Sequence, residues 1–409
     1  MSSSDWETFP IGSLCEDIFD GPHATPKKIQ DGPIFLGISN LANGRIDLSK
    51  TEHLSEKDFI EWTRRVTPKP NDLVFSYETR LGEAALIPNG LRCCLGRRMG
   101  LLRFDTTKVD PKFMLYAYLG PEFQQTIRTN TIHGSTVDRI PLKELPEFLI
   151  SIPPLPTQRR IANILSALDD KIELNRQTNA TLEAIAQAIF KEWFVDFNFP
   201  GATGEMEESE LGLIPVGWRV GNILEIAYLL SGGTPSTRIA EYWDGDIPWV
   251  SAKDVSNSKQ TYILDTERKI SLLGINNSST KILRELTTIV TARGTVGNYS
   301  IIARPMAMNQ TNYGLKAKVS GTDYFIFYSL GNLVAQLQKA AYGTIFDTVT
   351  TRTFEQSKIV IPSSFLIRNF DKQIAPMMKA ILNNLEQSVT LSKIRDRILP
   401  KLMRGEIEV

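Results

Sequence analysis

Between Ile150 and Phe197 the apolar positions recur in heptads: Ile161, Leu168, Leu182 and Ile189 share one seam position, with Ile164, Leu165, Ile172 and Ile185 beside it. That is a coiled-coil pattern. Pro153, Pro154 and Pro156 oppose helix upstream and Thr157 suits an N-cap, so the pattern predicts a long amphipathic helix opening at Thr157. About 35 helical residues would reach roughly 50 Å, too long for one small domain to bury. Such a helix needs a partner of similar length. The polar intruder at the seam is Asn175, midway between Ile161 and Ile189.

The chain supplies the partner itself. Slid against itself by 343 minus 134, or 209 residues, GSTVDRI from Gly134 falls on GTIFDTV from Gly343, and SIPPLP from Ser151 falls on VIPSSF from Val360. No gap is needed through the helix. The second seam reads Phe370, Met377, Asn384, Leu391 and Ile398, with Asn384 on Asn175. One ungapped register that preserves Gly, Asp, the proline-marked start and the seam Asn is an internal repeat.

Ahead of the first helix, PIFLGIS, DLVFSY, EAALIP and MGLLRF read as short strands punctuated by Asp31-Gly32, Asn43-Gly44 and Asn89-Gly90, and Pro111 to Thr129 as helix broken at Gly120-Pro121. This predicts an α+β domain over residues 1–149. Residues 150–197 form the first helix, and the Gly-rich, acidic stretch 198–214 reads as a linker. Trp218 then restarts the pattern of Trp6, so a second domain is expected over 215–357 and a second helix over 358–409. IPWVSAKD echoes IFLGISN, and TIVTARGTVGNYSII echoes LVFSYETRLGEAALI. Both halves end a β-type run in an arginine-bearing Gly turn, at Arg80 to Gly82 and at Arg293 to Gly297. A duplicated scaffold with divergent loops implies two related but distinct recognition surfaces.

Composition adds exclusions. With 46 basic and 46 acidic residues the whole-chain charge favours no partner, so any nucleic-acid footprint must be local. Locally, Arg64, Arg65, Lys69, Arg80, Arg92, Arg97, Arg98 and Arg103 crowd together against few acids, which suits a phosphate-binding surface or a solvated face. Cys15, Cys93 and Cys94 make no disulfide framework, and with three scattered histidines they lack zinc-ligand spacing. No signal peptide and no apolar run of membrane-spanning length is present. The expectation is a metal-free cytoplasmic protein without a membrane partner.

Catalytic signatures are missing: no phosphate loop, no dinucleotide-binding glycine motif, no zinc-protease motif, no nucleophile elbow and no Asn/Asp-Pro-Pro-aromatic motif of amino-methyltransferases. His133 and Ser135 are neighbours around Gly134, but the repeat places Tyr342-Gly343-Thr344 there, which favours a shared loop over a triad.

These residues resemble the specificity subunit of type I restriction-modification systems, bacterial or archaeal, along the whole chain. The resemblance is carried by IPPLPTQRRIANILSALDDKIE from Ile152, AIFKEWFVDF from Ala188, SELGLIPVGW from Ser209 and ILPKLMRGEI from Ile398. It departs at the second helix, where IPSSFLIRNFDKQ replaces the usual Pro-Pro and Gln-rich opening. The resemblance implies two globular target-recognition domains separated by two long antiparallel helices in a coiled coil with a pseudo-twofold repeat. Each domain would read one half of a bipartite, asymmetric site on double-stranded DNA. The helices would set the spacing and dock two methyltransferase (modification) subunits. The chain itself would be non-catalytic, with no cofactor; S-adenosylmethionine, ATP and Mg would sit on the methyltransferase and restriction/translocase subunits. The rival class is a coiled-coil scaffold that links two protein-interaction domains without touching DNA.

For DNA contact the candidates are small-residue loops that let phosphates approach, Arg or Lys for guanine or phosphate, and Asn or Gln for adenine. In the first half these are Gly21, Pro22, His23, Asn40, Arg80, Arg97, Arg98 and His133. In the second they are Ser231, Gly232, Gly233, Thr234, Lys253, Arg293, Thr295, Asn309, Gln310, Lys316 and Tyr342. Asn175 and Asn384 are expected to meet across the helix pair and fix its register, since a slipped pairing would set each amide against Leu or Ile.

Overall fold

The computed structural model describes residues 6–134, 137–258, 260–340 and 348–409. Two compact units emerge: the chain up to Ile172 with Thr390–Val409, and Glu173–Val389. The boundary therefore falls inside both long helices, Leu155–Phe194 and Ser364–Met403, each 40 residues. Strands and helices mix in both units.

In the first unit a four-stranded antiparallel sheet runs in the order Cys15–Asp20, Met99–Phe104, Leu73–Ser76, Ala84–Leu86. A smaller sheet pairs Ile29–Leu36 with Cys93–Leu95 in parallel. Helix Pro111–Leu119 starts where Asp110 accepts from the Phe113 N–H at 3.0 Å, with Pro111 in the first turn. Gly120-Pro121 ends it and opens Pro121–Thr129. Strand Glu7–Pro10 pairs with Leu149–Ile152, the last strand before the helix. Phe75, Phe113, Tyr118 and Phe123 form a core into which Ile161 and Leu165 of the first long helix and Leu402 of the second are packed.

The second unit repeats this plan. Its five-stranded sheet runs Ala227–Ser231, Asn312–Ala317, Thr288–Thr291, Tyr299–Ile302, Tyr262–Ile263. Strand Ile247–Val250 lies parallel to Ala307–Met308, and Arg219–Asn222 pairs with Lys358–Ile361 just before the second long helix. The core is aromatic: Phe190, Trp193, Phe194 and Phe370 from the long helices pack with Phe325 and Tyr328 of helix Asp323–Ala340.

Three expectations change. The first long helix opens at Leu155, not Thr157, because a proline is tolerated in a first turn whose N–H groups lack partners anyway. Gln158 anchors that turn, accepting from the Asp110 N–H at 2.9 Å and donating to Pro153 O at 2.8 Å. The second helix opens at Ser364, where the Ser363 hydroxyl accepts from the Leu366 N–H at 3.3 Å. Second, the expected linker 198–214 contains a hairpin, Met206–Ser209 paired with Gly212–Pro215. The Ser209 hydroxyl closes its turn, donating to Gly212 O at 2.6 Å and accepting from the Leu211 N–H at 3.1 Å. Third, Ile164 and Ile185 are exposed, whereas Asn179 and Ala186 are buried. The partner position of the seam is Leu165, Ile172, Asn179, Ala186 and Trp193: Leu165 and Ile172 are among the expected residues, and Ala186 takes the place of Ile185.

Candidate nucleic-acid interface

In the first unit four loops meet at the end of the sheets. The Gly21 N–H donates to Met99 O at 2.8 Å, and the Gly96 N–H to Leu36 O at 2.8 Å. A Cβ on Gly21 would collide with the Gly96 carbonyl, so only glycine allows this approach. Arg98 sits on the same turn with φ of 72° and pairs with Glu78 at 2.9 Å. Arg80 donates to Ile38 O at 3.2 Å and pairs with Glu83 at 3.3 Å. Arg139 joins this edge through its bridges to Glu78 and Ile132, and beside it His133 lies 3.2 Å from Asp138. His23 is exposed, 3.4 Å from Asp20. Gly21, Pro22, His23, Arg80, Arg97 and Arg98 thus share one loop edge, at which Arg97 is exposed.

Asn40 requires a correction. It is 4% exposed; its Oδ1 accepts from the Gly37 N–H at 2.9 Å, and its Nδ2 donates to Asp47 O at 2.9 Å and Lys50 O at 3.2 Å. Its amide is consumed in holding the 40–50 loop and has nothing left for adenine. The arginine-rich stretch is corrected too. Arg65 pairs with Asp20, Arg92 with Glu56 and Arg103 with Asp72, so with Arg80 and Arg98 most of that crowd is matched by carboxylates.

The second unit assembles the corresponding edge. The Gly233 N–H donates to Met308 O at 3.0 Å, and the Asn309 N–H to Val250 O at 3.0 Å. A Cβ on Gly232 would strike the Asn309 carbonyl. Thr234 hydrogen-bonds Gln310, and Thr295 meets Ser256 of helix Ala252–Asn257. Lys253, on that helix, is held 2.7 Å from Glu267, and this bond lifts its ammonium above the usual lysine range. Arg293 is exposed, its backbone bridged to Thr348. Ser231 to Thr234, Lys253, Arg293, Thr295, Asn309 and Gln310 therefore come together. Lys316 does not: it pairs with Tyr228 far down the strand pair whose other end is Ser231 and Tyr313, its ammonium 5.8 Å from the Tyr228 ring. Tyr342 lies outside the described residues.

Sequence reasoning missed Arg268, whose guanidinium stacks 3.5 Å from the Trp243 ring centre. Trp249 links this stack to the glycine loop by donating its indole N–H to Gly233 O at 3.0 Å. An interleaved Trp and Arg pair was the available signal.

The helix register residues Asn175 and Asn384 do meet, but side chain to backbone rather than amide to amide. Asn175, 1% exposed, donates to Asn384 O at 3.2 Å, Gln387 Oε1 at 2.9 Å and Ser388 Oγ at 3.2 Å. Asn384 donates its own amide to Asn179 Oδ1 at 2.9 Å, and Asn179 donates to Ile381 O at 3.2 Å. The two amides do not bond to each other; Asn179, which sequence reasoning passed over, completes the set.

Among the described residues no cluster of His, Cys, Asp and Glu could hold a metal ion, and no helix is long and apolar enough to cross a membrane. Burial pushes the thiols of Cys15, Cys93 and Cys94 up to about 12, which makes them inert packing groups.

The specificity subunit of the type I restriction enzyme HindI from Haemophilus influenzae is 25% identical, over 99% of this chain and 100% of that protein. The specificity subunit of the type I restriction enzyme MjaIX from Methanocaldococcus jannaschii is 27% identical, over 99% of this chain and 94% of that protein. The crystal structure of a type I restriction-modification system S subunit from M. genitalium shares the fold, with a TM-score of 0.63 at 17% identity over 97% of this chain and 96% of that one. The family model described as type I restriction modification DNA specificity domain matches twice, at residues 3–184 and 215–394. Those matches take in well over half of the chain, which belongs to the type I restriction-modification DNA specificity family.

Proposed function

We propose that each half of this DNA-recognition subunit reads one half of a bipartite, asymmetric site on double-stranded DNA through its own loop edge. The observation that carries this is the doubling of that edge: in each unit a glycine is pressed against a carbonyl, Gly21 on Gly96 and Gly232 on Asn309, and the residue bearing that carbonyl donates its own N–H across the parallel strand pair, to Leu36 O or Val250 O, with an exposed arginine on the edge, Arg97 or Arg293. Narrow glycine loops bring backbone to phosphate and flanking arginines supply charge or bidentate base contacts. The recognition domains would be 1–149 and 215–357, and the DNA-contacting set would be the loop residues grouped above, without Asn40 and Lys316.

The long helices set the spacing between half-sites and dock the methyltransferase subunits. A twofold relation between the helices is supported by their bonds: the 209-residue shift turns the Asn175 to Ser388 bond into the Asn384 to Asn179 bond. The chain carries no chemistry of its own; S-adenosylmethionine, ATP and Mg belong to its methyltransferase and restriction/translocase partners in the cytoplasm. Methylome sequencing of a host carrying the complete system tests this. A two-part motif with a fixed spacer is expected, and a single contiguous motif would refute it. Methyl transfer by the purified chain would refute the non-catalytic assignment.

A further inference from the structure

We propose that Asp169 is a positioning residue that orients the 41–50 loop of the first recognition domain, an ionic anchor that the repeat replaces with Met378 and Ala186 in the second half. The consequence for DNA rests on the recognition reading above; the anchor itself does not.

One carboxylate on the first long helix gathers three other elements. Its Oδ2 accepts from the Tyr116 hydroxyl of helix Pro111–Leu119 at 2.7 Å, and its Oδ1 accepts from Arg395 Nη1 of the second long helix at 2.7 Å. Arg45, from the short hairpin Leu41–Ala42 with Arg45–Ile46, stands 3.6 Å from Oδ1 and also donates to the Asp169 backbone carbonyl. The side chains of Asp169 and Arg395 are 18% and 20% exposed. A charge this far from water needs its partners, and a planar guanidinium holds a carboxylate in a defined direction. Asn40 closes the same loop from its other side through Asp47 O and Lys50 O. The loop is thus pinned internally by Asn40 and externally by Asp169.

The internal repeat shows that this hub is not demanded by the fold. The 209-residue shift carries Asp169 onto Met378 and Arg395 onto Ala186, both fully buried. The tyrosine is kept: Tyr328 reaches Met378 Sδ at 3.6 Å where Tyr116 reaches Asp169. The helix Asp323–Ala340 is docked there by apolar packing, by that sulfur contact and by Asp371, which accepts from the Tyr324 and Phe325 N–H groups, with Met378 in place of a carboxylate at the Asp169 position. What the Asp169 and Arg395 pair adds in the first half is a fixed attachment point for Arg45 and its loop. Arg45 lies in the loop that Asn40 shapes, directly after the Gly37 to Asn40 turn to which Arg80 donates at Ile38. Orientation of that loop edge is therefore set from the helix.

The experiment uses the full chain as wild type, as Asp169→Asn, and as Asp169→Met with Arg395→Ala, the pair that the second half already carries and folds with. Amide hydrogen exchange is read in the free protein at residues 41–50 and at the second-half loop 231–239. Both variants should open 41–50 about tenfold more readily while 231–239 stays unchanged. Binding to the motif found by methylome sequencing is then compared on DNA altered in one half-site at a time. Discrimination should fall at one half-site and persist at the other, which general loss of stability would not produce. Unchanged exchange at 41–50 in the Met and Ala variant would overturn the anchor. If wild type itself shows no sequence-specific binding, the recognition reading fails while the exchange result still decides the anchor.

Discussion

Asn175 donates its amide to the backbone carbonyl of Asn384 at 3.2 Å, although the two residues occupy equivalent places in the repeat and could have faced each other amide to amide. The Asn384 side chain turns instead to Asn179, one helical turn from Asn175. A buried donor set that reaches backbone as well as side chains tolerates no axial slip, because each bond would be replaced by contact with an aliphatic neighbour.

Truncating this set one member at a time should destabilise the chain. Asn175→Leu would leave Gln387 and Ser388 without a shared donor, at a cost of about 1–3 kcal/mol. Replacing Asn175, Asn179 and Asn384 together with Leu should cost less than the three single losses summed, since the Asn384 to Asn179 bond then disappears with both of its partners rather than one. Urea midpoints of the single and triple variants decide it; a triple variant weaker than the sum of the singles would contradict it.

Why the sequence revealed some of this and not the rest follows from range. The repeat, the strands and the break at Gly120-Pro121 are local signals, read from neighbours a few residues apart. Asn179 escaped because a polar residue at a seam position looks like an exposed one until its acceptor, Ile381 O, is known. The arginine-rich stretch misled for the same reason: Glu56 and Asp20 neutralise Arg92 and Arg65 from outside it, and Asp72 reaches Arg103 across the paired strands Leu73–Ser76 and Met99–Phe104. Asn40 has the right chemistry for adenine, and only the fold shows its amide spent on Asp47 and Lys50.

The aromatic core of the second unit should be the costliest place to truncate. Phe370 is fully buried with ring centres 5.1 Å from Phe194, 5.8 Å from Phe190 and 5.9 Å from Trp193. Phe370→Ala should cost about 3–5 kcal/mol, and a double-mutant cycle with Phe194→Leu should return a coupling of about 0.5–1.5 kcal/mol. Additive losses would show that the edge-on geometry contributes nothing beyond burial.

Asp371 gives the fold a pH dependence. It is buried on the second long helix and accepts from the N–H groups of Tyr324 and Phe325 at 2.9 and 2.8 Å. Burial pushes its carboxyl up to about 7, against the downward pull of those two donors. An unfolded aspartate titrates near about 3.9. Between these values the folded state keeps a proton that the unfolded state has lost, so stability falls as pH rises through the window and levels off above about 7. Asp371→Asn should remove that slope, on the order of 1.4 kcal/mol for each unit by which the pKa is raised. Unfolding midpoints at about pH 5 and about pH 7.5 test it, and equal slopes in wild type and variant would refute it.

The loop edges separate two kinds of loss. Arg97 and Arg293 are exposed at equivalent edges, so Arg97→Ala or Arg293→Ala should leave folding unchanged. If either residue meets a phosphate, the slope of log affinity against log salt should shrink by about one and binding should weaken alike on every sequence. If it grips a guanine, the cost should be about 1–3 kcal/mol and confined to one position of one half-site. Asn40→Ala should do neither. It removes two hydrogen bonds inside the 40–50 loop and one to Gly37, so thermal stability should fall by about 1–3 kcal/mol and any loss of DNA binding should follow loop disorder. Gel shifts at two salt concentrations, run beside thermal unfolding of the same variants, distinguish the three outcomes. An Arg97 or Arg293 variant with unaltered affinity and salt slope would remove that residue from the interface.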